Sequence, residues 1–324
     1  MIEVLYIELT DRCNLHCVHC GNGDSRGILM RKETAKKLLF DFAEIGGRKI
    51  MFTGGEPLLH PDLEELLDAA FSGGQIVKIS TNGFLITEKR FDFLFNYDLG
   101  FKLSLDGTRE DHNQIRGNCS SYDKAIDAIN LIGVRKKSLT IRTTLMRQNR
   151  HSVIPMLGEL HTLKAGIERV NIWPVRNIGR ANSRIMLSPQ EYRDFLYELG
   201  DRTKGFNPKF RIVVGPMFGL EEIFRETPVK SDEIYTCNLL NKTLQVSCNG
   251  EVYPCSFIRK PIGNINEHSI GEVFDSAFSR EFRRGFLESR GKSCKSCNVY
   301  ESCKGGCLAE SCGGLEGRDV YCFR

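Results

Sequence analysis

The chain has 324 residues, of which 41% are hydrophobic, so it can form one large domain or two domains around a sizeable core. Lys and Arg exceed Asp and Glu by only 45 − 41 = 4, and no dense run of Lys and Arg interleaved with aromatic residues occurs, which argues against nucleic acid. The N-terminus lacks the basic start of a signal peptide, and no uncharged apolar run approaches the roughly 20 residues of a membrane span. We therefore expect a cytoplasmic protein that binds neither nucleic acid nor membrane.

Short apolar runs alternate with stretches of helical spacing from the N-terminus to Thr203. The predicted strands are Val4–Leu9, Lys49–Phe52, Ile76–Ser80, Phe101–Ser104, Leu139–Thr144 and Arg169–Trp173. The predicted helices are Arg31–Ile45, Asp62–Ser72, Thr87–Tyr97, Tyr122–Gly133, Val153–Thr162 and one near Ser188. Ser188 is a good N-cap for this last helix, Pro189 suits its first position, and Glu191 completes a capping box with Ser188. This alternation predicts an α/β fold with a parallel sheet, an open partial (β/α)6 barrel whose site lies where the strands end.

The alternation fades after Thr203, so residues 1–203 are predicted to form the barrel domain. Residues 204–236 are interpreted as a bridging region with one strand, Phe210–Val214. From Cys237 to the C-terminus the chain is rich in Cys and Gly and poor in apolar residues. We expect residues 237–324 to form a small cysteine-rich α+β domain that bound metal holds together.

The chain has thirteen cysteines, an odd number, and the expected compartment keeps thiols reduced. Their clustered spacing therefore indicates ligands of a metal or an iron–sulfur cluster rather than disulfides. Cys13, Cys17 and Cys20 follow the first predicted strand with the spacing C-x3-C-x2-C. Three thiolates on one loop can bind three irons of a 4Fe–4S cluster and leave the fourth iron open. The alternative is a structural zinc site, for which His16 or His19 would have to supply the fourth ligand.

The cysteine loop resembles the signature of the radical S-adenosylmethionine (SAM) superfamily, with His19 at a position that is usually aromatic. Thr53-Gly54-Gly55-Glu56-Pro57, at the end of the second predicted strand, resembles the GGEP motif of that family. The resemblance implies that the open iron binds SAM, whose reductive cleavage gives a 5′-deoxyadenosyl radical that takes a hydrogen atom from the substrate. It also implies SAM contacts at strand ends: Gly54, Gly55, Glu56, Pro57, Thr81, Asn82, Ser104, Asp106 and Arg180.

Two of these implied contacts have a physical rationale of their own. Glycines let the backbone approach a ligand closely. The Glu56 carboxylate can pair with the ammonium group of SAM.

The C-terminal cysteines resemble the seven-cysteine pattern of the SPASM domain; a zinc ribbon is the alternative, because paired C-x2-C and C-x3-C spacings also suit zinc. The resemblance implies an outer auxiliary 4Fe–4S cluster on Cys294, Cys297, Cys303 and Cys322, and an inner one on Cys237, Cys255 and Cys307. With the loop cluster, three clusters are expected. Some members have a further inner ligand six residues after the first; here that residue is Thr243, so the inner cluster either keeps an open iron or recruits Cys248.

Asn249-Gly250 predicts a two-residue hairpin turn in which Cys248 faces Glu251 and Ser247 faces Val252. Cys248 and Cys255 would then lie roughly 13 Å apart, too far to share a cluster without a bulge. This leaves Cys248 as a rearranged ligand, a buried structural thiol, or a free thiol that donates a hydrogen atom to the substrate. Cys119 and Cys312 receive no predicted ligand role.

Three hypotheses on function follow. In the first, the protein modifies a ribosomally made peptide or protein by crosslinking, oxidation or epimerisation. Because the first strand begins close to Met1, leader recognition is then expected to come from a separate leader-peptide-binding protein. In the second, the same chemistry acts on a small molecule: a sugar or aminoglycoside epimerised with a Cys hydrogen donor, or a tetrapyrrole or redox-cofactor precursor. The third is a non-catalytic cluster or zinc scaffold. For both enzyme hypotheses the family implies a flavodoxin- or ferredoxin-type electron donor.

Overall fold

The computed structural model describes residues 2–215, 220–231, 243–288, 290–307, 309 and 318–323. Their strands form a single sheet in the order β11-β10-β9-β1-β2-β3-β4-β5-β6-β7-β8. The strands are β1 (Val4–Thr10), β2 (Lys49–Gly54), β3 (Ile76–Thr81), β4 (Gly100–Ser104), β5 (Leu139–Leu145), β6 (Arg169–Pro174), β7 (Arg211–Val214), β8 (Val229–Ser231), β9 (Thr243–Val246), β10 (Glu251–Tyr253) and β11 (Gly263–Asn264).

Helices connect the strands and cover the outside of the sheet. They are α1 (Lys32–Glu44), α2 (Leu63–Ser72), α3 (Glu88–Phe91), α4 (Arg109–Arg116), α5 (Ser121–Val134), α6 (Val153–Thr162), α7 (Pro189–Arg202), α8 (Ile270–Asp275), α9 (Ala277–Glu288), α10 (Lys292–Lys295) and α11 (Tyr300–Cys303). Helix α7 begins with the predicted capping box of Ser188 and Glu191. Within the described ranges no helix has the length and apolar character needed to cross a membrane.

The strands β1 to β8 are parallel and lie in sequence order, which confirms the predicted α/β class and all six predicted strands. β7 and β8, from the predicted bridging region, continue the sheet beyond β6. At the opposite edge β9 pairs in parallel with β1, and β10 and β11 follow in antiparallel pairing. Segments before and after residue 237 therefore share one sheet.

The two faces of the sheet differ in chemistry, because successive strand residues point to opposite sides. One face is apolar and fully buried under the helices; it includes Leu5, Ile7, Phe52, Ile79 and Leu103, which pack in the main core. We call the opposite side, which lines the barrel, the inner face. Its residues include Tyr6 and Glu8 on β1, Lys78 on β3, Lys102 on β4, Arg142 on β5, and Arg169, Asn171 and Trp173 on β6.

One predicted helix differs from the observed structure, and one observed helix was not predicted. The predicted helix Thr87–Tyr97 consists of α3 followed by a 3-10 helix, Asp92–Asn96. Helix α4 was not predicted; its buried residues are His112, Ile115 and Arg116, so it lacks an apolar stripe of helical period.

The predicted register of the β9–β10 hairpin is wrong by one residue. Val252 pairs with Val246 rather than with Ser247, and Ser247 N–H donates to the carbonyl of Glu251. The loop therefore has three residues, 248–250, and Gly250 closes it with a φ of +92°. Cys248 lies in this loop and does not face Glu251.

Candidate functional site

The three N-terminal cysteines lie on the loop that follows β1, and hydrogen bonds fix this loop from several sides. The Asp11 carboxylate accepts from the N–H groups of Arg26 and Ile28, both at 2.8 Å. Val18 N–H donates to the carbonyl of Ile115 at 3.0 Å, and Arg180 N–H donates to the carbonyl of Cys20 at 3.0 Å. The loop is thus tied to its own return segment, to α4 and to the segment after β6.

Side chains from three separate elements donate toward the cysteines. Asn82, after β3, places Nδ2 3.8 Å from Cys13 Sγ. Arg116, at the end of α4, places Nη1 3.6 Å from Cys17 Sγ. Arg180 donates from Nε to the carbonyl of Cys17 at 3.0 Å. Donors aimed at the ligand atoms orient them and stabilise the thiolate form.

Arg116 forms an ion pair with Asp106 at 2.7 Å, and both side chains are buried. Burial alone would raise the pKa of Asp106, but the guanidinium of Arg116 outweighs it, with help from His19 and His112, and the pKa is lowered. Thr144 N–H also donates to this carboxylate at 2.9 Å. Asp106, predicted as a SAM contact, therefore lies in the structure as the counter-ion of Arg116.

Glu56 is fully buried and joins the end of β2 to the end of β3. Its carboxylate accepts from Thr81 Oγ1 at 2.8 Å, from Asn82 N–H at 2.9 Å and from Leu58 N–H at 3.3 Å. Burial raises the pKa of Glu56 to about 7, against the opposing effect of these hydrogen bonds. A carboxylate has about four acceptor positions, so one remains for an ammonium group.

Gly54 and Gly55 are required by the protein itself. A Cβ at Gly54, whose φ is +134°, would lie 2.1 Å from the carbonyl oxygen of Thr10, and one at Gly55 would lie 2.2 Å from that of Arg12. The close approach that was expected toward a ligand is thus, in the structure, an approach of β2 to the start of the cysteine loop. Pro57 begins a 3-10 helix, and Ser104 ends β4 on the inner face.

Buried polar atoms around the cysteine loop are compatible with a bound 4Fe–4S cluster. Asn14 Nδ2, His19 Nδ1 and Arg116 Nε are buried and have no hydrogen-bond partner among the described residues. Burial raises the pKa of Cys13 to about 11, so iron must displace its proton. Three thiols beside buried donors form a donor set that fits a group bound by thiolates and rich in acceptor sulfides.

Four predicted ligands come together in the C-terminal region. Cys294 and Cys297 near α10, Cys303 at the end of α11, and Cys322 line one cavity of about 80 Å³. Burial raises the pKa of Cys294 and takes that of Cys303 to about 11. These four residues are the predicted ligands of the outer auxiliary cluster, and their chemistry fits such a cluster.

Asp319 and Arg290 hold the chain around that cavity. The Asp319 carboxylate accepts from Cys307 N–H at 2.8 Å and lies 3.6 Å from Nη2 of Arg176, an inter-segment ion pair. Arg290 donates to the carbonyls of Lys304 and Gly306 at 3.1 and 3.0 Å. Tyr321 donates its hydroxyl to the carbonyl of Leu187 at 3.1 Å, which ties the last residues to the barrel.

The predicted inner cluster is seen only in part, because Cys237 lies outside the described residues, as does Cys312. Continuing the observed hairpin register by two residues places Cys255 opposite Thr243. Across the described part of the chain, no three His, Cys, Asp or Glu side chains gather as ligands of one metal ion. A cubane cluster spreads its thiolates over separate irons, so this observation is compatible with the cysteine sets above.

Cys248 is half-buried in its loop beside the end of β1. Burial raises the pKa of its thiol to about 11, and the nearby carboxylates of Asp11 and Glu8 add to the rise. The thiol is therefore protonated at neutral pH. Cys119, in contrast, is exposed next to Ser120.

Comparison with known families gives two matches. The model of the radical SAM superfamily matches residues 7–160. The model of the SPASM iron–sulfur cluster-binding domain matches residues 237–298.

Individual proteins resemble the whole chain. The Fe-coproporphyrin III synthase of Methanosarcina barkeri is 27% identical over 93% of this chain and 82% of that protein. The PqqA peptide cyclase of Granulibacter bethesdensis is 24% identical over 95% of this chain and 82% of that protein. The crystal structure of Streptococcus suis SuiB bound to S-adenosylmethionine superposes with a TM-score of 0.79 and 19% identity over all of this chain and 78% of SuiB, which shows a shared fold.

Proposed function

We propose that this chain, which belongs to the radical SAM superfamily and carries a C-terminal SPASM domain, modifies a ribosomally made peptide after taking a hydrogen atom from it. When bound, SAM and the loop cluster supply the 5′-deoxyadenosyl radical, and the auxiliary clusters supply sites for electron transfer. The observation that carries the proposal is the convergence of Cys13, Cys17 and Cys20 with Glu56 and Arg116 where the strands end.

The residues of the site have separable roles. Asn82 and Arg116 orient the sulfurs of Cys13 and Cys17. Glu56 keeps one acceptor position for the SAM ammonium, at a point fixed by Thr81. Helices seal the outer face of the sheet, so a reaction inside the barrel is shielded on that side from water.

The open barrel supports a peptide substrate. Among the described strands, β8 and β11 end the sheet and do not pair with each other. A sheet that stays open leaves a lateral path for an extended chain, which a closed barrel would not. The similarity to a PqqA peptide cyclase supports the same substrate class.

A second candidate substrate class is small molecules, and one observation favours it: the similarity to a Fe-coproporphyrin III synthase over 93% of this chain. A flavodoxin- or ferredoxin-type electron donor would serve either class, and a separate leader-peptide-binding protein would serve only the peptide.

We further propose that Cys248 is the hydrogen donor if the modification is an epimerisation. Its protonated, half-buried thiol lies beside the end of β1, next to the cysteine loop. A C248S variant should then still release 5′-deoxyadenosine but should no longer transfer solvent deuterium to the product. Retained deuterium transfer in C248S would contradict this role.

The main proposal is tested by anaerobic reconstitution, iron and sulfide analysis, and incubation with SAM and a strong reductant. We expect about eight to twelve irons per chain and release of 5′-deoxyadenosine. A C13A variant should lose this product by at least a factor of about 100 and keep its auxiliary iron, while the matched C119A variant, altered at an exposed cysteine, should behave as wild type.

Mass spectrometry of precursor peptides encoded beside the gene then tests the substrate class. A mass change or a new crosslink in such a peptide supports the proposal. Full cluster content without 5′-deoxyadenosine in any condition would refute the enzyme mechanism, and turnover of a small molecule without any peptide change would refute the peptide.

A further inference from the structure

One guanidinium group from the C-terminal region contacts the chain on both sides of the cysteine loop. Arg259 Nη1 forms an ion pair with Glu8 Oε1 at 3.0 Å, and Arg259 Nη2 donates to Asn22 Oδ1 at 2.9 Å. Glu8 lies on β1, five residues before Cys13, and Asn22 lies two residues after Cys20. The two acceptors therefore bracket the segment that carries all three thiols, and one side chain joins them.

The Glu8 end of this contact is fixed by the sheet. Glu8 is paired with Thr53 in the parallel register of β1 and β2, and its side chain is buried. Gln245, on β9, is also buried and donates to the same carboxylate. A buried carboxylate that accepts from one charged and one neutral donor is a firm anchor for the guanidinium group.

Arg259 lies on a short excursion of the chain that leaves β10 and returns to it. Cys255 forms a bridge with Ile258, directly before Arg259, and Ile262 N–H donates to a carbonyl of β10 at 2.8 Å. Cζ of Arg259 lies 5.4 Å from the centre of the Tyr253 ring, within the range of a cation–π contact. The C-terminal region thus fixes the position of the guanidinium group independently of the cysteine loop.

The Asn22 end has little support of its own. Among the described residues, Arg259 supplies the one side-chain hydrogen bond to Asn22. Gly21 and Gly23 flank Asn22, and a Cβ added at Gly23, whose φ is +68°, would meet no atom within 4 Å. Because glycine leaves the backbone the widest choice of conformations, the hydrogen bond from Arg259 restrains a segment that local packing does not.

The chemistry of arginine suits a bridge between two acceptors. Its guanidinium group presents several N–H donors in a rigid planar fork, whereas the ammonium group of lysine is a point charge on a flexible stem. A lysine at position 259 could pair with Glu8 but could not also hold Asn22 in the same geometry. The contact therefore depends on the fork as well as on the charge.

We infer that Arg259 is a positioning residue that closes the cysteine loop from the C-terminal region and so holds the three thiols in place for cluster and SAM binding. This inference rests on the function proposed above, which assigns the loop to a SAM-binding cluster. Ligand atoms that are ordered in advance lose less conformational freedom on binding. Loss of the bridge should therefore loosen the loop and weaken SAM binding.

Two variants break the bridge from opposite sides and keep a cation beside Glu8. R259K retains the charge and loses the fork, and N22A removes the second acceptor and leaves the ion pair intact. The matched controls are R280K, at an exposed Arg of α9, and N130A, at an exposed Asn of α5. Because neither test variant buries an unpaired charge, both are expected to fold.

The first measurement is hydrogen exchange with mass spectrometry on the reconstituted full chain under anaerobic conditions. In R259K and N22A we expect amides of residues 11–24 to exchange at least about tenfold faster than in wild type, since one hydrogen bond to a charged group is lost. Exchange in β2 to β6 should not change, and both controls should match wild type throughout.

The second measurement is a SAM titration of the reduced protein followed by electron paramagnetic resonance. The spectral change on adding SAM reports on the cluster that binds SAM, so it separates the loop cluster from the others. In R259K and N22A the half-saturating SAM concentration should rise about tenfold or more at unchanged iron content. A residue that only stabilises the fold would leave this concentration as it is in wild type.

Two results would overturn the inference. Wild-type exchange and half-saturation in R259K would mean that Arg259 only neutralises Glu8. Wild-type values in N22A would mean that the hydrogen bond to Asn22 does not hold the loop. In either case 5′-deoxyadenosine release by the same wild-type preparation leaves the proposed function standing. A wild type that releases none refutes that function, while the exchange measurement still decides the inference.

Discussion

The two cysteine-lined regions of this molecule are supported in different ways. The N-terminal thiols are contacted by residues that follow β3, end α4 and follow β6, so distant parts of the barrel position them. The thiols of the C-terminal cavity lie on the short helices α10 and α11 and the turns around them. The first site is therefore built on a packed core, and the second depends largely on its bound clusters for order.

The largest effect is expected from removing the iron. Without clusters, amides of residues 290–307 should exchange hydrogen at least about 100-fold faster, while those of β1 to β6 should change little, because the core that supports them contains no metal. Hydrogen exchange with mass spectrometry on holo and iron-free protein measures this. Equal acceleration in both regions would mean that the barrel, too, is held by its cluster.

The second effect concerns Arg116, which links the core to Cys17. An R116L variant leaves the Asp106 carboxylate buried without its partner, at a cost of about 3–5 kcal/mol in the free energy of unfolding of the iron-free chain. R109L is the matched control: Arg109 begins the same helix and pairs with Asp123 at the surface, where about 0–1 kcal/mol is expected.

Urea unfolding of both variants measures these costs. The double variant R116L/D106L should recover part of the loss, because it no longer buries an unpaired charge. A cost for R116L no greater than that for R109L would show that the buried ion pair does not support the loop.

The third effect is a pH dependence from Glu56. Its pKa is about 7 in the folded protein against 4.5 for an ordinary Glu, so between these pH values the unfolded chain binds fewer protons than the folded one. Stability of the iron-free chain should therefore fall as pH rises from 4.5 to 7, by about 3 kcal/mol from this group, and level off above.

An E56Q variant should lack this component, so the difference in urea unfolding between wild type and E56Q should change with pH over that range. E301Q, at an exposed Glu of the C-terminal region, should show no such difference. If the difference in unfolding free energy between wild type and E56Q does not change with pH, the pKa of Glu56 in the folded protein lies near its ordinary value.

The smallest effect is at the contact between the two regions. A Y321F variant loses the hydrogen bond to the Leu187 carbonyl while keeping the ring against Tyr192, and should cost about 1–2 kcal/mol. Limited proteolysis and urea unfolding measure it against Y197F, at an exposed Tyr. No difference between the two variants would mean that ring packing alone holds the C-terminal residues to the barrel.

Residues with a strong local signal were predictable from the sequence. The six barrel strands carry apolar residues on the helix-covered face, and the capping box of α7 is a short-range signal. The resemblance to the SPASM domain implied the four cysteines of the outer auxiliary site, and the structure brings them to one cavity. The SAM contacts and the inner cluster stay predictions.

The rest depended on tertiary packing. Helix α4 was not predicted, because the residues on its buried face are His112, Ile115 and Arg116. The contact of Arg116 with Cys17 was missed for the same reason. The sequence did contain one signal of this helix, namely Gly117 directly after its last residue. Glycine commonly ends a helix with a positive φ, and the φ of Gly117 is +68°. The predicted register of the hairpin was wrong because Asn249-Gly250 suits a two-residue turn. In the structure Gly250 instead closes a three-residue loop that packs against Asn266.

The pairing of β9 with β1 has a consequence for how this chain folds as it is made. Val4 pairs with Thr243, 239 residues later, so one edge of the first strand stays open until most of the protein has left the ribosome. At synthesis rates of 5–20 residues per second that is a delay of roughly 12–48 s. During this interval the nascent barrel exposes an unpaired strand edge beside the cysteine loop, and slow translation or early cluster shortage should make this chain prone to edge-to-edge aggregation.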